Sequence, residues 1–366
     1  MQNKEFYTRY NRQILLQNFG EEGQQKLQDA KVLVIGAGGL GCPILQYLAA
    51  AGIGTIGIVD GDKIELSNLQ RQVLFTTTDI GKPKATVAAE RIRAMNPTIL
   101  VNEYYQFLNT ENALELFKKY NIIVDGTDNF ATRYMINDAC VLLNKPLVFG
   151  AIYLFEGQIA VFNTADANGI KINYRHLFPV PPNKEEAPDC ATAGVLGTLP
   201  GIIGMMQATE TIKLIANIGN PLINKMVSYN ALTNESFTTD LSAAANVKID
   251  LPKTEAEFKA FSYDFFCNSV PSQVQQIDAK TFNEFLKDES IAIIDVREIG
   301  EKPLATFRHI AIPLSNFKNE IKNIKAKTVV LFCQSGKRSN TAAEYLLEEY
   351  KNTITVYNLK NGILSL

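Results

Sequence analysis

The run from Val32 to Val59 is uncharged and holds seven glycines between two short β-rich strings, V-L-V-I and T-I-G-I-V. Its length alone would let it span a bilayer. The glycines argue against one long helix, because each weakens a helix interior. The composition instead predicts a strand over 31–35, a glycine turn, a helix over 40–51 and a strand ending at Asp60, which together make a βαβ unit. A second uncharged stretch, Cys190 to Thr209, contains Pro200 and four glycines. It reads as a loop followed by a buried helix, so no membrane partner is expected.

The alternation continues downstream. Helices are predicted over 84–95, 113–120, 134–144 and 202–218, with strands over 100–105 and 122–125 and a strand leading out through 146–150. This pattern predicts an α/β fold with a mostly parallel sheet and helices on both faces. The string P-V-P-P-N-K-E-E-A-P-D at 179–189 is proline-rich and polar and reads as an exposed loop. The pattern weakens near 243–268. From Gln276 a second, smaller α/β alternation begins, with helices at 279–286 and 339–350 and strands at 291–295, 328–332 and 354–357. At 366 residues the chain is long enough for two domains. The expected division is a domain over 1–245, a linker over 246–270 and a second domain over 271–366.

Lys and Arg total 36 against 38 Asp and Glu, a net charge of -2, which excludes a globally basic nucleic-acid binder. Only two histidines, His176 and His309, are present, so multi-histidine metal chemistry is excluded. The five cysteines, Cys42, Cys140, Cys190, Cys267 and Cys333, are widely spaced and form no C-x-x-C pair. Reduced thiols in a cytoplasmic protein fit that pattern. The N-terminal residues are charged and show no apolar h-region, so no signal peptide is expected.

Gly36, Gly38, Gly39 and Gly41 match G-x-G-x-x-G directly after a strand and at a helix start. Such a turn lets backbone N–H groups and a helix N-terminus approach phosphate. Asp60 closes the next strand, where a carboxylate can take ribose hydroxyls. The glycines alone do not choose between a dinucleotide and ATP, and an NAD-dependent oxidoreductase is the competing reading. Arg71, Lys84 and Asp128 tip the balance. Hydride transfer needs no such array, whereas a triphosphate needs cations, and a carboxylate there can hold magnesium.

The strings R-Y-N-R-Q at 9–13, G-A-G-G-L-G, I-V-D, S-N-L-Q-R-Q, G-K-P-K, T-D-N at 127–129 and A-G-V-L-G-T-L-P-G-I-I-G carry a resemblance. The first roughly 240 residues resemble the ubiquitin-activating-enzyme superfamily, closest to bacterial adenylyltransferases that activate sulfur-carrier proteins for molybdopterin or thiamine synthesis. The resemblance implies a Rossmann-like adenylyltransferase domain in which Asp60 binds ribose, Asn68, Arg71 and Lys84 contact phosphates, and Asp128 holds magnesium. It implies a homodimer in which Arg12 reaches the partner's triphosphate. The substrate would be a Gly-Gly-ended ubiquitin-like sulfur carrier, and a non-catalytic carrier-binding scaffold is the alternative of another class. Cys190 falls where the family carries a transfer cysteine.

Cys333 ends an apolar strand and opens C-Q-S-G-K-R-S before a helix. Backbone N–H groups of such a loop converge on one sulfur, and the helix N-terminus with Lys337 and Arg338 adds positive charge, so a thiolate or persulfide is favoured. Residues about 271–366 resemble a rhodanese domain, with I-D-V-R-E at 294–298 and H-I-A-I-P-L at 309–314 as further matches. This implies sulfur transfer from a sulfur donor through a Cys333 persulfide, with Asp295, Arg297 and His309 structural. Relatives often hold zinc with two C-x-x-C pairs. Here Asn173 and His176 stand where the first pair would be, so zinc is not expected.

Overall fold

The computed structural model describes residues 2–181, 194–263, 266, 274–350 and 354–366. The chain divides into two units, Met1–Cys267 and Asn268–Leu366.

Two helices, α1 (Gln2–Ile14) and α2 (Gly20–Asp29), open the first unit. The alternation follows as β1 (Lys31–Ile35), α3 (Gly41–Ala51), β2 (Thr55–Val59), α4 (Lys84–Met95), β3 (Leu100–Tyr104), α5 (Ala113–Phe117), β4 (Ile122–Asp125), α6 (Phe130–Leu142) and β5 (Leu147–Tyr153). Then come β6 (Glu156–Phe162), the single-turn α7 (Tyr174–Leu177), a helix over Leu199–Ala216, β7 (Lys225–Asn230) and β8 (Glu235–Asp240). The sheet runs β3-β2-β1-β4-β5-β6-β7-β8. Its first five strands in that order are parallel, and β5 through β8 pair antiparallel.

Strand β1 is buried beyond Lys31, as a strand covered on both faces must be. On one side, α3 inserts Ile44, Leu45 and Leu48, all fully buried, against the sheet and the Leu199–Ala216 helix. Each such side chain contributes about 1.5–3 kcal/mol. The Leu199–Ala216 helix sinks Leu199, Ile203 and Ala208 into that core and carries Gln207 and Thr211 inside with it. Gln207 Nε2 donates to the Asp125 carbonyl at 2.7 Å, tying this helix to the end of β4. Among the described residues no helix is long and apolar enough to cross a membrane.

Boundaries differ from expectation where capping decides them. Helix α6 begins four residues earlier than its apolar periodicity suggests, because the Asn129 side chain accepts the Thr132 N–H at 2.8 Å. Helix α5 stops at Phe117 and a turn carries the chain on to Tyr120. The antiparallel extension β6–β8 has no counterpart in the predicted alternation. Within the stretch read as a linker, a helix over Glu255–Ala260 is capped by Thr254. It buries Phe258 completely in the core of the first unit.

The second unit is a parallel sheet ordered β11-β10-β12-β13-β9. Its strands are β9 (Val274–Ile277), β10 (Ala292–Asp295), β11 (Ile310–Ala311), β12 (Thr328–Phe332) and β13 (Thr355–Leu359). Helices over Ala279–Phe285 and Lys337–Tyr350 flank it. Phe282 is buried on one face of the sheet and Leu346 on the other, so the unit has a core of its own.

Candidate active site

The strand order of the first unit reverses between β1 and β4, and a cavity opens there at the strand ends. Gly36, Gly38, Gly39, Asp60, Arg71, Lys84 and Asp128 all line it. Gly36 has φ +90°, and a Cβ there would lie 2.8 Å from the Gly126 carbonyl oxygen. Gly41 faces into the turn rather than the cavity, where a Cβ would fall 2.0 Å from the Gly36 carbonyl oxygen. The glycines thus serve different ends, one a backbone conformation and the other the seating of α3 on the turn.

Asp60 is fixed by two backbone donors. Its carboxylate accepts the Ala37 N–H and the Asp62 N–H, each at 2.8 Å. Burial pushes its pKa up, against the pull of the Ala37 N–H and of Lys84. Lys84, the first residue of α4, reaches 3.2 Å from Asp62, which also lines the cavity. Arg71 donates to the Ser67 carbonyl at 3.1 Å. Gln72 is buried in the cavity wall, and its Oε1 has no hydrogen-bond partner among the described residues. An orphaned acceptor in a polar wall fits a site shaped for a hydrogen-bonding ligand. The residues therefore fit a nucleotide. They also fit magnesium held by one carboxylate together with phosphate oxygens, the usual mode for this ion.

The loop that carries Asp128 is pinned from below by a residue that the pattern of charges did not single out. Asp125 is fully buried and accepts both the Thr127 N–H, at 2.9 Å, and its hydroxyl, at 2.6 Å. Arg133 Nε stands 3.7 Å from the other Asp125 oxygen, and Arg133 Nη2 donates to the Thr127 carbonyl at 3.4 Å. Burial raises the Asp125 pKa and Arg133 opposes it. Asp128 itself is exposed at the cavity mouth.

Besides Gly41, two further residues expected at the nucleotide site do not line this cavity. Asn68 accepts the Glu65 N–H at 3.1 Å and so caps the short turn Leu66–Asn68, which leads directly into Arg71. Arg12 lies exposed on α1. Cys190 falls outside the described residues.

In the second unit Cys333 follows β12 and is buried. Its sulfur accepts the Gly336 N–H at 3.1 Å and the Ser339 hydroxyl at 3.3 Å. Burial alone would raise the thiol pKa. The Ser339 hydroxyl and the N–H groups of Ser339, Ser335 and Gly336 outweigh it and hold the pKa below the usual thiol value. The expected help from Arg338 takes another form, because its guanidinium pairs with Glu301 at 2.6 and 2.7 Å. Arg297 grips Asp295 and the Pro303 carbonyl, a buried brace for the loop after β10. His309 lies exposed, its Nδ1 2.8 Å from the Phe307 carbonyl.

Asn173 and His176 form a capping box for α7. His176 Nδ1 accepts the Asn173 N–H at 3.1 Å, and Asn173 Oδ1 accepts the Arg175 N–H at 3.0 Å. Burial lowers the His176 pKa. Among the described residues, which do not include Cys190 and Cys267, no group of three or more His, Cys, Asp or Glu side chains is placed to hold a metal ion. Purified protein is expected to contain less than one zinc per chain. Elemental analysis checks this, and one tightly held zinc per chain would contradict it.

The profile of the ThiF family matches residues 10–249. The chain belongs to the ThiF family. A rhodanese-like domain profile matches residues 278–365, so the ThiF unit is followed by a unit of a second kind. A Thermus thermophilus protein named sulfur carrier protein adenylyltransferase is 48% identical over 266 residues, which are 72% of this chain and 97% of that protein. A Mycobacterium tuberculosis protein named probable adenylyltransferase/sulfurtransferase MoeZ is 41% identical over 350 residues, covering 93% of this chain and 88% of that one. A Porphyra purpurea protein named probable molybdopterin-synthase adenylyltransferase is 37% identical over 367 residues, covering 99% of this chain and 93% of that one.

Proposed function

We propose that this chain is an adenylyltransferase and sulfurtransferase that activates the C-terminal glycine of a ubiquitin-like sulfur carrier with ATP and then supplies sulfur to it. The observation that carries the reading is one chain holding both a phosphate-type glycine turn ringed by Asp60, Arg71, Lys84 and Asp128 and a thiol cradled by backbone N–H groups. The family membership and the relatives' names agree with it. Molybdopterin synthesis is the pathway we assign, with support from the name of the Porphyra relative, and the thiamine alternative is not favoured by the relatives' names. The reduced state that Cys333 needs makes the cytoplasm the compartment we assign.

The carrier carboxylate attacks the α-phosphorus, the bond to the bridging oxygen breaks and pyrophosphate leaves with the electron pair. A carboxylate is already ionised at neutral pH, so no general base is needed. Arg71 and Lys84 would meet phosphate charge and the Asp60 carboxylate would receive ribose hydroxyls, a reading supported by their lining one cavity. Asp128 would hold magnesium, which supplies charge neutralisation when bound. In the second reaction the outer sulfur of a Cys333 persulfide attacks the activated carbonyl carbon and AMP leaves. A further thiolate, which the family resemblance assigns to Cys190, then attacks Cys333 Sγ in the acyl disulfide: a Cys190–Cys333 disulfide forms, the bond to the outer sulfur breaks, the thiocarboxylate leaves with the electron pair, and a cellular dithiol reductant returns the two thiols. Carrier-dependent ATP–pyrophosphate exchange tests the first half, and its absence with every Gly-Gly-ended carrier would defeat it.

The proposed site is composite, with Arg12 contributed by the second protomer of a homodimer. Mixing inactive Arg12→Ala and Asp128→Asn proteins is then expected to restore part of the exchange activity, because one of the two sites in each mixed dimer carries neither lesion. No recovery, in a mixture whose subunits demonstrably exchange, would remove the composite site.

A further inference from the structure

The helix after Cys333 begins at Lys337, so Arg338 sits in its first turn, five positions beyond the thiol. A guanidinium there is well placed to meet an anion approaching the loop. It is engaged elsewhere. Both Glu301 oxygens accept from it, at 2.6 and 2.7 Å, in a two-point pairing that leaves the pair with no net charge. Glu301 is itself anchored, because its Oε1 also accepts the Glu298 N–H at 2.9 Å. Glu298 in turn accepts from the Ser315 hydroxyl at 3.0 Å. The carboxylate is thus part of a braced turn, and Arg338 is held to it on a fixed frame. Arg338 lowers the Glu301 pKa to about 2, so the pair persists throughout the neutral range. The Cys333 sulfur meanwhile takes its hydrogen bonds from Gly336 and Ser339.

We propose that Glu301 is a specificity-determining residue of the sulfur-transfer centre: by withholding Arg338 it disfavours small dianionic sulfur donors, of which thiosulfate is the type, relative to organic persulfides. The inference rests on Cys333 being the sulfur-carrying thiol. With thiosulfate, the Cys333 thiolate attacks the outer sulfur, the sulfur–sulfur bond breaks and sulfite leaves with the electron pair. The departing group is strongly anionic and calls for a cation. With an organic persulfide the thiolate attacks the terminal sulfur and a single thiolate departs, so the withheld cation matters less.

The test compares thiosulfate with cysteine persulfide as donor and cyanide as acceptor, in the full chain. Cyanide removes the outer sulfur of the Cys333 persulfide as thiocyanate and restores the thiolate. Glu301→Gln keeps an acceptor for the Glu298 N–H and removes the charge. It is expected to raise the ratio of kcat/KM for thiosulfate to that for cysteine persulfide about tenfold, the scale of one charge-assisted hydrogen bond, with the gain entering through the thiosulfate KM. The double variant Glu301→Gln/Arg338→Ala is expected to lose that gain. A ratio that stays or falls in Glu301→Gln overturns the proposal, as does a gain that survives in the double variant. Glu301→Ala provides the same comparison should the glutamine variant melt early. Cys333→Ser separates the two levels: loss of transfer from both donors leaves the question to Glu301, whereas retained transfer removes the Cys333 reading itself.

Discussion

Asp128→Asn is expected to reduce carrier-dependent ATP–pyrophosphate exchange at least several hundred-fold, on the order of 3 kcal/mol, while the protein stays folded. The two halves of that expectation have separate causes. Asp128 is exposed at the mouth of the cavity, and among the described residues its carboxylate makes no hydrogen bond on which the fold depends. The loop around it is held by Asp125, Thr127 and Arg133, which the substitution leaves in place. Asparagine keeps the size and shape and removes one negative charge, the property that a hard divalent cation requires. Near-normal exchange in a variant with an unchanged melting temperature would take the magnesium role away from Asp128.

Cys333→Ser is expected to do the opposite, keeping exchange and losing thiocarboxylate formation from the sulfur donor altogether. The proposed adenylation site is the strand-end cavity of the first unit, whose lining residues all belong to that unit. Sulfur transfer uses a group that is anionic and soft. The N–H groups and the Ser339 hydroxyl that favour a thiolate at Cys333 cannot ionise a serine hydroxyl at neutral pH. The readout is the intact mass of the carrier, which rises by one oxygen-to-sulfur replacement when sulfur is delivered. A serine variant that still produces this shift at the normal rate would sink the sulfur-transfer half of the proposed function. Cys190→Ser is expected to keep exchange as well and to slow release of the sulfurated carrier.

Those residues were readable because they sit where chain direction alone determines position. A glycine turn after a strand must lie at the strand's end, and so must Asp60 and Asp128, one strand over on either side. Neither Asp125 nor Gln72 declares itself in this way. Asp125 is the last residue of an apolar strand, and only the packing of α6 brings Arg133 beneath it. Gln72 lies one position from Arg71 and is distinguished only by facing inward. Glu301 is a sharper case still, since its partner lies 37 residues further along the chain and no local pattern joins them. The helix over Glu255–Ala260 was masked by its weak composition, a short polar run whose single anchor, Phe258, finds its place in a core already formed by distant strands. The pairings β6 with β7 and β7 with β8 depend on where the chain folds back after long connections, which periodicity does not report.

The placement of the three described thiols, Cys42, Cys140 and Cys333, would make the two proposed reactions unequally robust to oxidants. Burial pushes Cys42, beneath the nucleotide turn, up to about 12, and raises Cys140 well above the ordinary thiol range. Both stay protonated and closed to peroxide, which attacks thiolates. Cys333 is shifted the other way by the cradle that suits it to carry sulfur. Under oxidative stress the nucleotide chemistry would outlast sulfur delivery, and the enzyme would go on turning ATP into activated carrier that it could no longer complete.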